Sequence, residues 1–232
     1  MVRAHDENLR RLGLVAERLG ELKDEVVFLG GCVAGLLVSE AAAPLVRPTR
    51  DVDLIIEVVS RRAFYELEAD LASRGFGRPV EQDPPICRWA VEGVTVDVMP
   101  IDPAILGFSN PWYPIALQTA EPTWLPSGQP IRVVTAPAFL ATKLTAFLDR
   151  GEDDFLSSPD LEDILVVIDG RAEIEHEILA ADNSLREYLS EEIGKFLSTE
   201  RFRGALAGHL PPDPASQARL PQLIDKLNRI AG

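Results

Sequence analysis

Apolar positions along the chain follow two different periods. From residue 6 to 23 they recur every three or four residues, with Leu9, Leu12, Ala16, Leu19 and Leu22 on one stripe. That spacing predicts an amphipathic helix packed on a core. Val26-Val27-Phe28-Leu29 is instead an unbroken apolar run of strand length; it meets Gly30-Gly31, and Cys32 to Val38 then opens a buried helix. Asp51 to Ile56 reads as a second strand, since polar Arg47 to Arg50 gives way to a β-branched run. Ser60 is placed to cap a helix bearing Phe64, Leu67 and Leu71, which Gly75 ends. Residues 86–91 and 94–99 form two further strands around a turn at Glu92-Gly93.

Residues 100–130 are rich in proline and include the turn signal Pro126-Ser127-Gly128. They predict an extra hairpin with residues 131–135 as its return strand, or a loop over the site. Trp112 and Tyr113 are placed either to stack on a base or to fill local core. From Ala136 the period is helical, with Pro137 in the first turn, Leu140, Leu144 and Phe147 on a buried stripe, and Lys143 beside it. Residues 151–159 read as a linker and 160–169 as the start of another helix. Two or three helices are expected after that, interrupted by Leu210-Pro211-Pro212-Asp213-Pro214. The expected fold class is α/β (α+β). A small mixed β-sheet packed with helices spans residues 1–135, and a helical C-terminal region spans 136–232.

Chemistry concentrates where the second strand begins. A strand has a side-chain period of two, so Asp51 and Asp53 project from one face about 7 Å apart along the chain, while Val52 and Leu54 point into the core. Crowded carboxylates repel, and a hard divalent cation with oxygen ligands offsets that repulsion. Solvated acids at a strand entrance are the plainer account, and two other stretches bear on the choice. Gly30-Gly31 at a strand-to-helix turn allows close backbone approach and free N–H groups for an anion, or is a simple turn. It is not a P-loop, because Leu36-Leu37 follows Gly35 where Lys and Ser/Thr are required. Asp97 lies within the apolar strand Val94 to Met99, which is costly unless the acid is paired, metal-bound or on an edge strand. His176-Glu177 opens like H-E-x-x-H, but Ala180 occupies the second histidine position and removes that metal site.

A strand ending in Gly30-Gly31, D-x-D on a second strand and a lone Asp97 on a third resemble the core of DNA polymerase β-type nucleotidyltransferases. The string Arg47-x-Thr49-x-Asp51-Val52-Asp53-Leu54 is narrower. It resembles the AbiEii/MenT-like nucleotidyltransferases, many of them toxins of toxin–antitoxin pairs. Lys143, Arg150 and Asp160-Leu161-Glu162-Asp163-Ile164 follow in the order of that family's later motifs. The resemblance implies an Mg²⁺-dependent transfer of NMP from a nucleoside triphosphate to an acceptor hydroxyl. By that resemblance Asp51 and Asp53 hold two Mg²⁺ ions, and Asp97 ligates the acceptor-side ion and helps deprotonate the hydroxyl. Gly30 and Gly31 meet the triphosphate through backbone N–H groups, and Lys143 neutralises a β- or γ-phosphate. Arg47 and Thr49 either touch phosphate or brace the aspartates. Arg150, Asp160 and Asp163 join the substrate-binding set, although acids in a helix's first turn are also ordinary partners of its dipole. The toxin relatives imply an RNA acceptor, a tRNA 3′ end, and a cognate antitoxin protein as partner.

Bulk properties narrow the classes. The 232-residue chain is 46% hydrophobic, enough for one substantial core or a core plus a smaller helical domain. A net charge of −14 argues against a generally basic nucleic-acid binder, leaving a local patch of Arg47, Arg50, Arg61, Arg62, Lys143 and Arg150 to meet an RNA. It suits a small cationic acceptor of the aminoglycoside type, the alternative acceptor. Cys32 and Cys87 lack metal spacing and read as free thiols in a reducing cytoplasm. No apolar run reaches the roughly eighteen residues of a membrane span, and the start of the chain is charged rather than signal-like, so a soluble cytoplasmic protein is expected. Haloacid-dehalogenase-type phosphatases place the apolar run before D-x-D, whereas here it follows. Glycosyltransferases leave Gly30-Gly31 and Asp97 unexplained. A non-catalytic module of the same fold needs lost metal ligands, and none is lost.

Overall fold

The computed structural model describes residues 4–40, 46–58, 60–80, 83–150 and 154–232, with side chains from residue 7. The chain forms two compact units, one of residues 1–33 and 47–135 and the other of residues 34–46 and 136–232.

The first unit is built on a sheet of six strands: β1 (Val26–Leu29), β2 (Asp51–Ile56), β3 (Arg88–Val91), β4 (Val94–Pro100), β5 (Glu121–Trp124) and β6 (Pro130–Val133). Their order is β3-β4-β2-β1-β6-β5. β2 runs parallel to β4 and β1 parallel to β6, and the remaining neighbours are antiparallel, so the sheet is mixed as expected. All four residues of β1 are buried, which explains why its sequence is apolar without alternation. Helix α1 (Ala4–Leu19) buries Leu12, Val15, Ala16 and Leu19. The helix predicted to residue 23 leaves α-geometry at Gly20, whose φ of +57° opens a 3-10 turn, Gly20–Asp24. After β1, Gly31–Val33 is again a 3-10 turn.

Ser60 caps the helix Arg61–Ser73, accepting a 3.1 Å hydrogen bond from Ala63 N. Within 100–130 the hairpin alternative is the one taken, β5 and β6 flanking the turn that contains Gly128. Two short helices in this stretch, Pro103–Leu106 and Tyr113–Thr119, were not expected. The first does carry its own start signal, Asp102 Oδ1 accepting from Ala104 N at 2.8 Å ahead of Pro103.

The second unit is helical. The buried helix predicted after Gly30-Gly31 is a single turn, Ala34–Leu37, because the N–H groups of Ser39 and Glu40 donate to Gly170 O at 3.0 and 2.9 Å instead of continuing it. The longer helices are Ala136–Arg150, Pro159–Gly170, Asn183–Ser198 and Leu220–Ala231. Five helices follow residue 170 among the described residues, Ile174–Ala180, Glu200–Ala205 and Pro214–Gln217 being the short ones. The reading of two or three was too few, because Asp182 and Asp213 each accept from backbone N–H groups and start a new helix. Phe147, Phe155, Phe196 and Phe202 form its aromatic core, with ring centroids 5.3–5.6 Å apart. The predicted linker is described from Asp154 on; residues 151–153 lie outside the described residues. Among the described residues no helix is long and apolar enough to cross a membrane.

Candidate active site

Strand register assembles the site. β2 lies between β1 and β4, and Asp53 stands opposite Leu29 on one side and Asp97 on the other. β4 is therefore internal to the sheet, and the edge-strand account of Asp97 does not apply. Ligand oxygens of Asp51, Asp53 and Asp97 all lie within 4.8 Å of one another. Three carboxylates that close repel strongly unless cations offset the charge. An all-oxygen donor set of this kind fits a hard divalent ion such as Mg²⁺.

Gly30 is shaped by the same cluster. Its φ is +74°, and a β-carbon there would fall 1.8 Å from Asp53 Oδ2. Glycine is thus required both by backbone conformation and by the carboxylate packed against it. Gly31 is buried and begins the 3-10 turn that follows.

The approach to β2 is pinned from α1. Asn8 is buried; its Nδ2 donates to Arg47 O at 3.0 Å and its Oδ1 accepts from Thr49 N at 3.0 Å. Arg11 adds a hydrogen bond to Thr49 O. Thr49 is itself buried, and its Oγ1 donates to Asp51 O at 3.3 Å. Thr49 thereby braces the start of β2 through main-chain contacts. Asn8 and Arg11 lie on a helix whose pattern signalled only packing.

Arg88 is the other residue that sequence reading missed. The β3–β4 hairpin turns on Glu92 and Gly93, both at positive φ (47° and 79°), as a two-residue primed turn requires. Val91 faces Val94, so the register carries Ala90 to Thr95, Trp89 to Val96 and Arg88 to Asp97. The guanidinium grips Asp97 with both arms, Nε to Oδ1 at 2.9 Å and Nη2 to Oδ2 at 2.7 Å. The signal was present: a two-residue turn at 92–93 fixes which residue stands opposite Asp97.

Cys32 and Cys87 border the cluster as buried free thiols. Burial pushes Cys32 up to about 12 and Cys87 up to about 11, with Asp53 and Asp97 respectively adding to the shift. Both shifts favour the neutral thiol near pH 7.

In the second unit, the remaining predicted residues gather in one cluster. Lys143 Nζ lies 2.9 Å from Asp160 and 2.7 Å from Asp163, all three buried. Arg150 reaches Asp160 at 3.0 Å while staying largely exposed. Burial disfavours the Lys143 charge, yet Asp163 and Asp160 outweigh it and hold the ammonium above the ordinary lysine range. Burial likewise opposes ionisation of Asp160, but Lys143 and Arg150 hold it below the usual carboxylate range. Asp160 and Asp163 both turn to Lys143. Among the six cations expected to meet RNA, Arg62 is also paired, with Glu66 at 3.0 Å.

No family model matches the chain, and no curated protein sequence does. Among solved structures, an antigenic nucleotidyltransferase-like protein from Paracoccidioides brasiliensis is 22% identical with a TM-score of 0.53, covering 86% of this chain and 93% of its own. JHP933 from Helicobacter pylori is 12% identical with a TM-score of 0.47, over 97% of this chain and 92% of that one. The first likeness shows the fold, which is that of a nucleotidyltransferase-like protein.

Proposed function

We propose that the protein is a metal-dependent nucleotidyltransferase, moving NMP from a nucleoside triphosphate to an acceptor hydroxyl with release of pyrophosphate. One observation carries this reading: three carboxylates within 4.8 Å on neighbouring strands of a nucleotidyltransferase-like fold. Asp51 and Asp53 would hold two Mg²⁺ ions, and Asp97 the ion on the acceptor side. Mg²⁺ bound there supplies neutralisation of the phosphoryl charge and a lowered pKa for the acceptor hydroxyl. In this reading Asp97 would help the acceptor hydroxyl lose its proton, and the backbone N–H groups at Gly30 and Gly31 would meet the triphosphate. Lys143 and Arg150 carry phosphate countercharge in this reading, with Asp160 and Asp163 orienting them.

The acceptor follows from the narrower motif. Arg47-x-Thr49-x-Asp51-Val52-Asp53-Leu54 resembles the AbiEii/MenT-like toxins, so the proposed acceptor is an RNA 3′ end, that of a tRNA, and a cognate antitoxin is the proposed protein partner. The net charge of −14, together with the pairing of Arg62, Lys143 and Arg150 to carboxylates, favours a small cationic acceptor as the second reading. Incubation with each α-labelled triphosphate, Mg²⁺ and either total RNA or an aminoglycoside separates the two. RNA labelling should fall steeply with salt, with a log–log slope of roughly −0.7 to −0.9 per phosphate contacted. Label on the drug and never on RNA, with every triphosphate at low salt, would make the second reading the right one.

A further inference from the structure

The cross-strand row Asp53–Asp97–Arg88 places two acids and one base side by side on three adjacent strands. Both oxygens of Asp97 are taken by Arg88. A carboxylate held on both oxygens by one guanidinium keeps its remaining lone pairs for a metal, but a cation arriving there meets the arginine's positive charge. The guanidinium is well anchored by its strand. Cys87 and Trp89 on either side are buried, Val98 N donates to Cys87 O at 2.8 Å, and Arg78 stacks on Trp89 with its Cζ 4.0 Å from the ring centroid while donating to Arg88 O at 3.2 Å. The clamp is therefore a feature of folded β3 and not a mobile surface pair. Asp51 and Asp53 lie on the strand beyond Asp97, away from β3 in the sheet order.

We propose that Arg88 is the resting-state counter-ion of Asp97, holding the place of the acceptor-side metal: it neutralises the carboxylate, and a divalent cation binds there against the guanidinium charge. The inference rests on the metal reading above and adds a competitor to it, the ion at Asp97 entering against the charge of Arg88. Arg88 is a positioning residue on this account, acting on the metal through Asp97.

Mn²⁺ binding to the substrate-free protein, followed by the spin-resonance signal of the free ion, tests it without reference to turnover. Arg88→Gln should bind Mn²⁺ about fivefold more tightly than wild type, the scale expected for removing one neighbouring positive charge from a hydrated divalent-ion site. The gain should shrink in an Asp97→Asn background, where there is no carboxylate to release. A second readout uses the wild-type protein alone: the Arg88 Nε–H resonance, assigned by its absence from Arg88→Lys, should shift as Mg²⁺ is added. Unchanged or weaker Mn²⁺ affinity in folded Arg88→Gln would overturn the proposal. Should that variant fail to fold, an Arg88 resonance indifferent to saturating Mg²⁺ would overturn it equally. Wild-type protein that binds Mn²⁺ through Asp51 and Asp53, with no response at Arg88, contradicts the clamp and leaves the metal reading standing. No Mn²⁺ bound by any of the proteins contradicts both.

Discussion

A β-carbon at Gly30 would lie 1.8 Å from Asp53 Oδ2, so the glycine that ends β1 and the acid at the centre of β2 are one structural unit. Gly30→Ala must push the Asp53 carboxylate aside, and its φ of +74° adds backbone strain of about 1–2 kcal/mol. The expected outcome is a modest loss of stability in a denaturant melt together with a much larger loss of Mn²⁺ affinity. A variant that melts lower yet binds the ion as wild type does would show that Asp53 is not a ligand.

Asn8 offers a test of the brace. Asn8→Ala removes one buried and one part-buried hydrogen bond to the segment that enters β2, at a cost of roughly 1–3 kcal/mol. Because that segment positions Asp51, metal affinity should fall as well, although residue 8 touches no ligand oxygen. Urea unfolding and an ion-binding isotherm on the same preparation check both halves.

These two cases mark what the sequence made legible. The D-x-D strand, its apolar partner β1, the Gly-Gly turn and the third strand with Asp97 are all signalled by period-two patterning and by glycine, which are local properties. Asn8 and Thr49 are 41 residues apart along the chain, and no local pattern connects them. Arg88 was readable in principle from the two-residue turn, but only by counting register outward from Glu92-Gly93. The extra C-terminal helices were missed because side-chain caps at Asp182 and Asp213 start new helices where the apolar spacing alone runs on.

The buried cluster around Lys143 predicts a pH profile. Asp160 has a depressed folded pKa, so its contribution is present above the unfolded value near ~3.9 and is lost as pH falls through the folded one. Lys143 has a raised folded pKa, so its contribution is present below the unfolded value near ~10.4 and is lost as pH rises through the folded one. Stability should therefore form a plateau between about pH 5 and pH 10 that falls on both sides. Lys143→Met leaves Asp160 and Asp163 without their shared ammonium and should cost about 3–5 kcal/mol at neutral pH, while flattening the alkaline arm. Chemical denaturation across pH measures both effects; an unchanged alkaline limb in the variant would contradict the assignment.

Asp97→Asn separates the acceptor-side role from simple charge. The amide keeps the shape of the carboxylate but removes its charge, so turnover should collapse while triphosphate affinity changes far less, Asp51 and Asp53 remaining. Calorimetry with a non-hydrolysable triphosphate analogue, beside single-turnover rates, distinguishes this from an equal loss of both.

The central claim is that Asp51, Asp53 and Asp97 form a metal-dependent transfer site, and replacing Asp51 tests it most directly. Asp51→Ala removes one of three mutually repelling carboxylates, so the apo protein should melt no lower than wild type and its fold should persist. With α-labelled triphosphate, Mg²⁺ and RNA, wild type should transfer label that chelation of the metal abolishes, and folded Asp51→Ala should transfer none. Full Mg²⁺-dependent labelling by Asp51→Ala would contradict the account.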